Sequence, residues 1–556
     1  MKKKPYQLLK WLFILFFIVF AIFFYLRHLR QDPFAPDAHT IVTRDGVTYL
    51  GQGWGMEERQ QLSFTSFGSR IIDYSWFVAL EMAENEQLFR DNAHMADLGF
   101  IPGAANKFNP DGLPIGVVRD NDDKGNQWVG LTCAACHTGQ LTINGKPIRI
   151  DGGQSLINYT QFETELLAAL KATIQQPEKW QRFIARLQKQ KNIDAQAEKK
   201  KIQTRIEELH TRYAINATQV PYGHGRLDAF GQIFNAVAVD ALNIPQNARS
   251  PDAPTSFPVL WDASHLDVVQ WNASAPNMEP GPLAQNATTA LAVYGTVDVL
   301  GQDKTYPSSI QIKNLGYIQR KYYKLSSPKW PQDVAGRLDK KLIEKGEKIY
   351  QKQCVQCHSL VNSDDANRKL SAVLVPAAEV GTDPRMVNNF TDGSVKTGEL
   401  EGKKAFVLFG EKFQKEAARL DVVMHVTTGS LLNRPWDSLR AVTDEFAVNN
   451  RIHTDPSVHY YKARPINGIW ASAPYLHNGS VPTVYDLLLP STQRPKQFFV
   501  GNRELDRVKI GNQTLEMPNA SLFDTSLPGN SNAGHEYGTQ LTEPDRMALL
   551  EYIKSL

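Results

Sequence analysis

The sequence predicts a mainly α protein with long loops and a few short β-hairpins, arranged as two modules behind an N-terminal transmembrane helix. Three observations predict it. All four cysteines of the 556 residues fall in two copies of C-x-x-C-H. The second copy follows a stretch with helical periodicity, whereas the first lies among strand-patterned segments. The chain also opens on lysines followed by an uncharged apolar run.

The opening "MKKKPYQLLK" carries four lysines, and residues 11–26, "WLFILFFIVFAIFFYL", hold no charge in 16 residues. As a helix this run would span about 24 Å, slightly short of a hydrocarbon core of about 30 Å. Lys10 and Arg27 can snorkel, and Trp11 and Tyr25 suit the two interfaces. The excess of lysine before the run predicts a cytoplasmic start, hence a single-pass inner-membrane anchor with the bulk of the chain in the periplasm. A cleaved signal peptide is the alternative, but "RHLRQDPF" follows the run and no small-x-small site does. The chain as a whole is 42% hydrophobic and 21% charged with net charge +3, and beyond residue 30 it reads as a globular protein. It lacks the concentrated basic face that nucleic acid would require.

The two motifs are Cys133, Cys136 and His137, then Cys354, Cys357 and His358. Two thiols at this spacing can each add across a haem vinyl group, and the adjacent histidine then reaches the iron. A thioredoxin-type pair needs no following histidine. A zinc site built from both pairs would bridge everything between Cys136 and Cys354, far beyond a ribbon spacing of about 15–20 residues. The expected cofactors are therefore two covalently bound haems c, with His137 and His358 as proximal ligands.

The two halves are written differently. "DKKLIEKGEKIYQKQ" places Leu342, Ile343, Gly346, Ile349 and Tyr350 on one helical face, and Gly346 would let another helix cross closely. At the far end Thr542 and Pro544 open a helix whose stripe is Leu549, Tyr552, Ile553 and Leu556. Such helices bound a single-haem cytochrome c domain, which residues 342–556 resemble. The first motif runs instead into "QLTINGKPIRI", a hairpin turning at Asn144–Gly145. The segment around "KQKNIDAQAEKKKIQTRIEEL" is heavily charged and reads as a solvated helical arm. The expected boundaries are 1–30 for the anchor, 31–335 for the first haem module with a charged insertion at about 170–215, and 336–556 for the C-terminal cytochrome c domain.

The runs "GFIPGAANKFNPDGLPIG", "WVGLTCAACHTG", "GRLDAFGQIFNAV", "VLWDASHLDVVQWN", "ARPINGIWASAPYLHNGSVPTVYDLLLP" and "GNSNAGHEYGTQLTEPDRMALLEYIKSL" resemble the rubber oxygenase branch of the bacterial di-haem cytochrome c peroxidase superfamily. The resemblance runs from about residue 99 to the C-terminus. It implies two cytochrome c-type haem modules, one storing electrons and one with a sixth iron position open to dioxygen or peroxide. It also implies an electron donor, either a redox protein or a small molecule. Rubber oxygenases are secreted and cleave polyisoprene, and an anchored chain would depart from that pattern. A pure electron carrier is the competing class.

Within the resemblance, the first haem is the expected site of chemistry, its distal wall drawn from Phe257, Trp261 and Trp271. His265 between the tryptophans would favour peroxide chemistry if it faced the iron. The sixth ligand of the second haem is expected from the loop before the terminal helix, at His535, with His477 and Met517 as rivals.

Overall fold

The computed structural model describes residues 33–556 other than 190–191, 279, 364, 366 and 445–457, together with residues 14, 17, 18, 21, 22 and 25. Helix makes up 39% and strand 15%, so the fold is mixed rather than mainly α. The expected transmembrane helix falls almost wholly outside the described residues. Among the described residues no helix is long and apolar enough to cross a membrane. The anchor and the single-pass inner-membrane location are therefore not supported, and the expectation is corrected.

The strands that the sequence under-counted gather around the first motif. Gln127–Leu131 lies between Ile72–Asp73 and Val117–Asn121, antiparallel to both, and delivers the chain to Thr132. The chain leaves the motif as Thr138–Ile143, which pairs with Lys146–Asp151 across Asn144 and Gly145. Both turn residues have positive φ, 51° and 74°, as a type I′ turn requires. Most strands here have two to six residues, too short for alternation to register beside stronger helical patterns.

The charged insertion is not a solvated arm. Its helix Ala195–Ile215 buries Ile202, Ile206 and Leu209 in the same core as Phe162, Leu166 and Phe183. Buried Glu198 accepts the Trp76 indole N–H at 2.6 Å, and Arg205 donates to the carbonyls of Ile71 and Arg70. Charges surrounding a sparse i, i+4, i+7 stripe had hidden a packed face.

In the second half, helix Lys340–Gln353 crosses the terminal helix Glu543–Ser555 at Gly346. A Cβ there would stand 2.1 Å from the Ala548 carbonyl oxygen. Tyr350 and Tyr552 meet beside the crossing, ring centroids 5.2 Å apart. Two core clusters draw on both halves: Leu50, Trp54, Leu141 and Ile148 share one with Trp470 and Leu549, and Leu283 and Leu291 share another with Val422 and Val426.

Replacing an exposed mid-helix glycine by alanine ordinarily stabilises by about 1 kcal/mol. Gly346→Ala should do the reverse, costing about 1–3 kcal/mol as the two helices are forced apart. Thermal unfolding followed by circular dichroism reads this directly, and a raised midpoint would contradict the close crossing.

Candidate haem centres

The first motif forms the short helix Cys133–His137, capped by Thr132, whose hydroxyl accepts the Ala134 N–H at 3.2 Å. Gly116 lies so close behind it that a Cβ would stand 2.2 Å from the Ala135 nitrogen. His137 Nδ1 lies 2.9 Å from the Pro258 carbonyl oxygen. A carbonyl only accepts, so Nδ1 carries the proton and Nε2 is left with a free lone pair. Burial pushes the His137 pKa down to about 4, which keeps the ring neutral and fit to bind metal.

The second motif repeats this logic by other means. His358 follows helix Lys340–Gln353, and its Nδ1 lies 2.7 Å from the Arg464 carbonyl oxygen. The His535 ring faces it, centroids 6.3 Å apart. Two imidazoles sharing one metal at about 2 Å per bond place their centroids about 6 Å apart, so this pair has the spacing for a porphyrin iron between them. His535 is held there by its loop. Its N–H donates to the Val380 carbonyl, and the Arg494 guanidinium collects the carbonyls of Asn532, Gly534 and His535. These contacts hold the His535 backbone at φ 52°, an unfavourable region for a non-glycine residue. Burial first, and then His358, drives the His535 pKa down to about 3.

Of the rival ligands, His477 shares the cavity described below with His358 and His535, whereas Met517 does not. His477 is buried and stacks on Tyr461 with centroids 4.3 Å apart. Its Nε2 lies 3.1 Å from the Tyr461 hydroxyl, which itself donates to the Asp383 carbonyl. With that hydroxyl proton committed, His477 Nε2–H is the donor, so this nitrogen is not free for iron. Met517 is 40% exposed and does not line the cavity described below.

Burial pushes the thiol pKa values up, to about 11 for Cys133 and Cys354 and about 12 for Cys136. Reactive thioredoxin-type pairs need the opposite shift. Among the described residues no group of three or more His, Cys, Asp or Glu is arranged to hold a metal ion, so the two cysteine pairs do not converge on a zinc site. The donor set that remains is an imidazole beside each pair of thiols, which fits covalent haem.

The two motif histidines are tied together through Arg464. Its guanidinium donates to the Val259 carbonyl at 2.8 Å and to the Trp261 carbonyl at 2.6 Å. Its own carbonyl holds His358, and Pro258, next to Val259, holds His137. One side chain thus locks the supports of both imidazoles together.

A cavity of about 520 Å³ runs from Cys133 to Cys354, Cys357 and His358, with His535 and Trp271 among its walls. The expected distal wall of the first haem is divided by the structure. Trp271 lines the cavity, its N–H on the Ser256 carbonyl. Phe257 also lines it but packs edge-on to His137, centroids 6.3 Å apart, beside the supporting Pro258. Trp261 does not line the cavity: it is 1% exposed in the core, its N–H on the Asn467 carbonyl. His265 is fully buried with Nδ1 and Nε2 on the carbonyls of Arg368 and Tyr323, facing away from the cavity. The segment folds back at Asp262, at φ 60°, and the turn Ala263–His265 carries His265 out of the wall. Arg464 and Pro258 escaped the sequence reading because they act through main-chain carbonyls, which any residue possesses.

Two C-x-x-C-H motifs whose histidines are each oriented through Nδ1, with cysteines of both motifs on the wall of one largely apolar cavity, define a c-type cytochrome. A model of the RoxA-like, cytochrome c-like family matches residues 460–499, the stretch carrying Arg464 and His477. The chain is 30% identical to uncharacterized protein y4iJ of Sinorhizobium fredii, over 92% of this chain and 94% of that protein. It is 26% identical to y4iM of the same organism, over 58% of this chain and 66% of that one. The chain belongs to the family of y4iJ, and its RoxA-like cytochrome c domain implies a covalently bound haem c and a haem-based redox function.

Arg464→Met keeps the carbonyl that holds His358 but strands two buried carbonyls, at a cost of about 1–3 kcal/mol each. The variant should unfold at lower denaturant, and its effect should extend to the His137 side as an altered haem absorption envelope. An effect confined to the His358 centre would contradict the bridge.

Proposed function

We propose that the chain is a di-haem oxidoreductase, with dioxygen or peroxide activated at the first haem, on His137, and electrons received and stored at the second, between His358 and His535. The asymmetry of the two imidazoles carries this reading. His358 has a second histidine at the distance of a shared metal. Among the described residues, the ring packed on His137 is that of Phe257, not a second imidazole. Bound haem supplies one-electron chemistry and, where a sixth position is open, a place for the oxidant. The protein orients each imidazole by one Nδ1–H bond, keeps both rings neutral and excludes water with an apolar wall.

The resemblance to the di-haem peroxidase superfamily supports the same division of labour. Within it, the cavity favours the oxygenase-like version. Peroxide cleavage calls for a group that takes and returns a proton. His265 is turned away, His477 Nε2 is engaged with Tyr461, and no Asp or Glu lines the cavity among the described residues. Lys462, a basic group on its wall, sits toward the second motif's side beside Arg464. Electrons would enter from a redox protein or a small donor.

Cys133→Ala or Cys136→Ala should remove the covalent haem of the first site, and Cys354→Ala or Cys357→Ala that of the second, read as intact mass and haem stain. A parent protein carrying fewer than two haems would end the di-haem reading. In EPR the parent should show one high-spin and one low-spin ferric centre, and His535→Ala should convert the low-spin signal to high-spin. Two low-spin centres in the parent would instead make the chain an electron carrier. Trp271→Ala should change the rate of reaction with dioxygen several-fold at full haem content, and an unchanged rate would remove Trp271 from the site.

A further inference from the structure

Among the described residues, the cavity between the motifs carries two positive side chains and no acid. Lys462 lies on strand Tyr460–Ala463, opposite Leu374 of Val373–Pro376, and Arg464 follows two residues on, so the two share a face. Both line the cavity, whose walls include no Asp or Glu among the described residues. Among the described residues Lys462 Nζ reaches only the Val268 carbonyl, at 3.5 Å, which is a weak contact. Arg464 places two nitrogens on carbonyls, but its buried Nε has no partner.

The nearby carboxylates are already committed. Asp262 is held by Arg368 at 2.5 Å. Asp267 accepts the N–H groups of Val268 and Ala372, both at 2.9 Å. Burial first, and then the like charge of Arg464, pushes the Lys462 ammonium down to about 7. Burial pushes the Arg464 guanidinium down to about 10, and Asp267 and Asp262 are too weakly coupled to offset these shifts. Leaving a charge desolvated and unpaired is costly, and such groups ordinarily occur where a ligand completes the pair.

We propose that Lys462 and the Nε of Arg464 receive a carboxylate within this cavity, and that the carboxylate is a propionate of the haem anchored at the second motif. The inference rests on the di-haem reading above. It follows from the position of Arg464, whose carbonyl orients His358 while its side chain faces the same space. A propionate bound here would be a charge-assisted partner for both cations and would place a net positive charge beside one haem only. The same residues would thereby separate the two haems in potential, since a nearby cation disfavours the more positive ferric state.

The test compares the parent with Lys462→Met and Lys462→Arg, each first shown by mass to carry both haems. Absence of haem from the parent would refute the di-haem reading itself. With haem present, Lys462→Met should shift the propionate-bending bands in resonance Raman spectra and lower the midpoint potential of one haem. Lys462→Arg should restore both. Unchanged bands and potentials in Lys462→Met would overturn the proposal, and so would a Lys462→Arg variant that matches Lys462→Met, because packing alone would then explain the change. Acetate added to the parent should leave bands and potentials unaltered. An acetate effect in the parent that Lys462→Met abolishes would mean that the cations serve a free carboxylate, overturning the haem assignment. Should Lys462→Met fail to accumulate, Lys462→Gln keeps a polar tip without the charge and carries the same comparison.

Discussion

The arrangement depends on the double contact of the Arg464 guanidinium with the carbonyls of Val259 and Trp261. His137 and His358 come from distant parts of the chain, and each takes its orientation from one carbonyl oxygen. If those carbonyls moved independently, the two rings would have no fixed relation. Arg464 supplies one carbonyl from its own backbone and grips the segment that supplies the other. Arginine suits this role because its planar fork donates in two directions while its charge persists under burial.

Burial then sets the chemistry in a consistent direction. Imidazoles lose basicity and thiols lose acidity when water is removed, and both trends appear at the motifs. The rings are kept as neutral ligands and the sulfurs are not poised for exchange. The two motif histidines differ in what faces them: a fork from Arg494 holds a strained loop so that His535 faces His358, whereas His137 meets an aromatic edge.

The halves also share their cores. Side chains from the first hundred and fifty residues pack with Trp470 and Leu549, which joins the two motifs in one packed unit around the cavity. A rigid shared interior resists small displacements, since interiors are close-packed and transmit strain. That rigidity is what lets one side chain serve two centres.

The residues alone determined the haem motifs, the hairpin at Asn144–Gly145, the close crossing at Gly346 and the candidacy of His535. In each case the information is local: a spacing, a turn chemistry, a missing Cβ or a place before a capped helix. The tertiary structure decided the rest. It withdrew Trp261 and His265 from the cavity, because a left-handed turn at Asp262 sets their direction and a loop sequence fixes no face. It buried the charged helix Ala195–Ile215, whose narrow stripe acquires meaning only against a facing core. It supplied the strands around the first motif, whose pairing is non-local. And it assigned Arg464 its role, since a main-chain carbonyl leaves no mark in a sequence and becomes a support only where another segment folds against it.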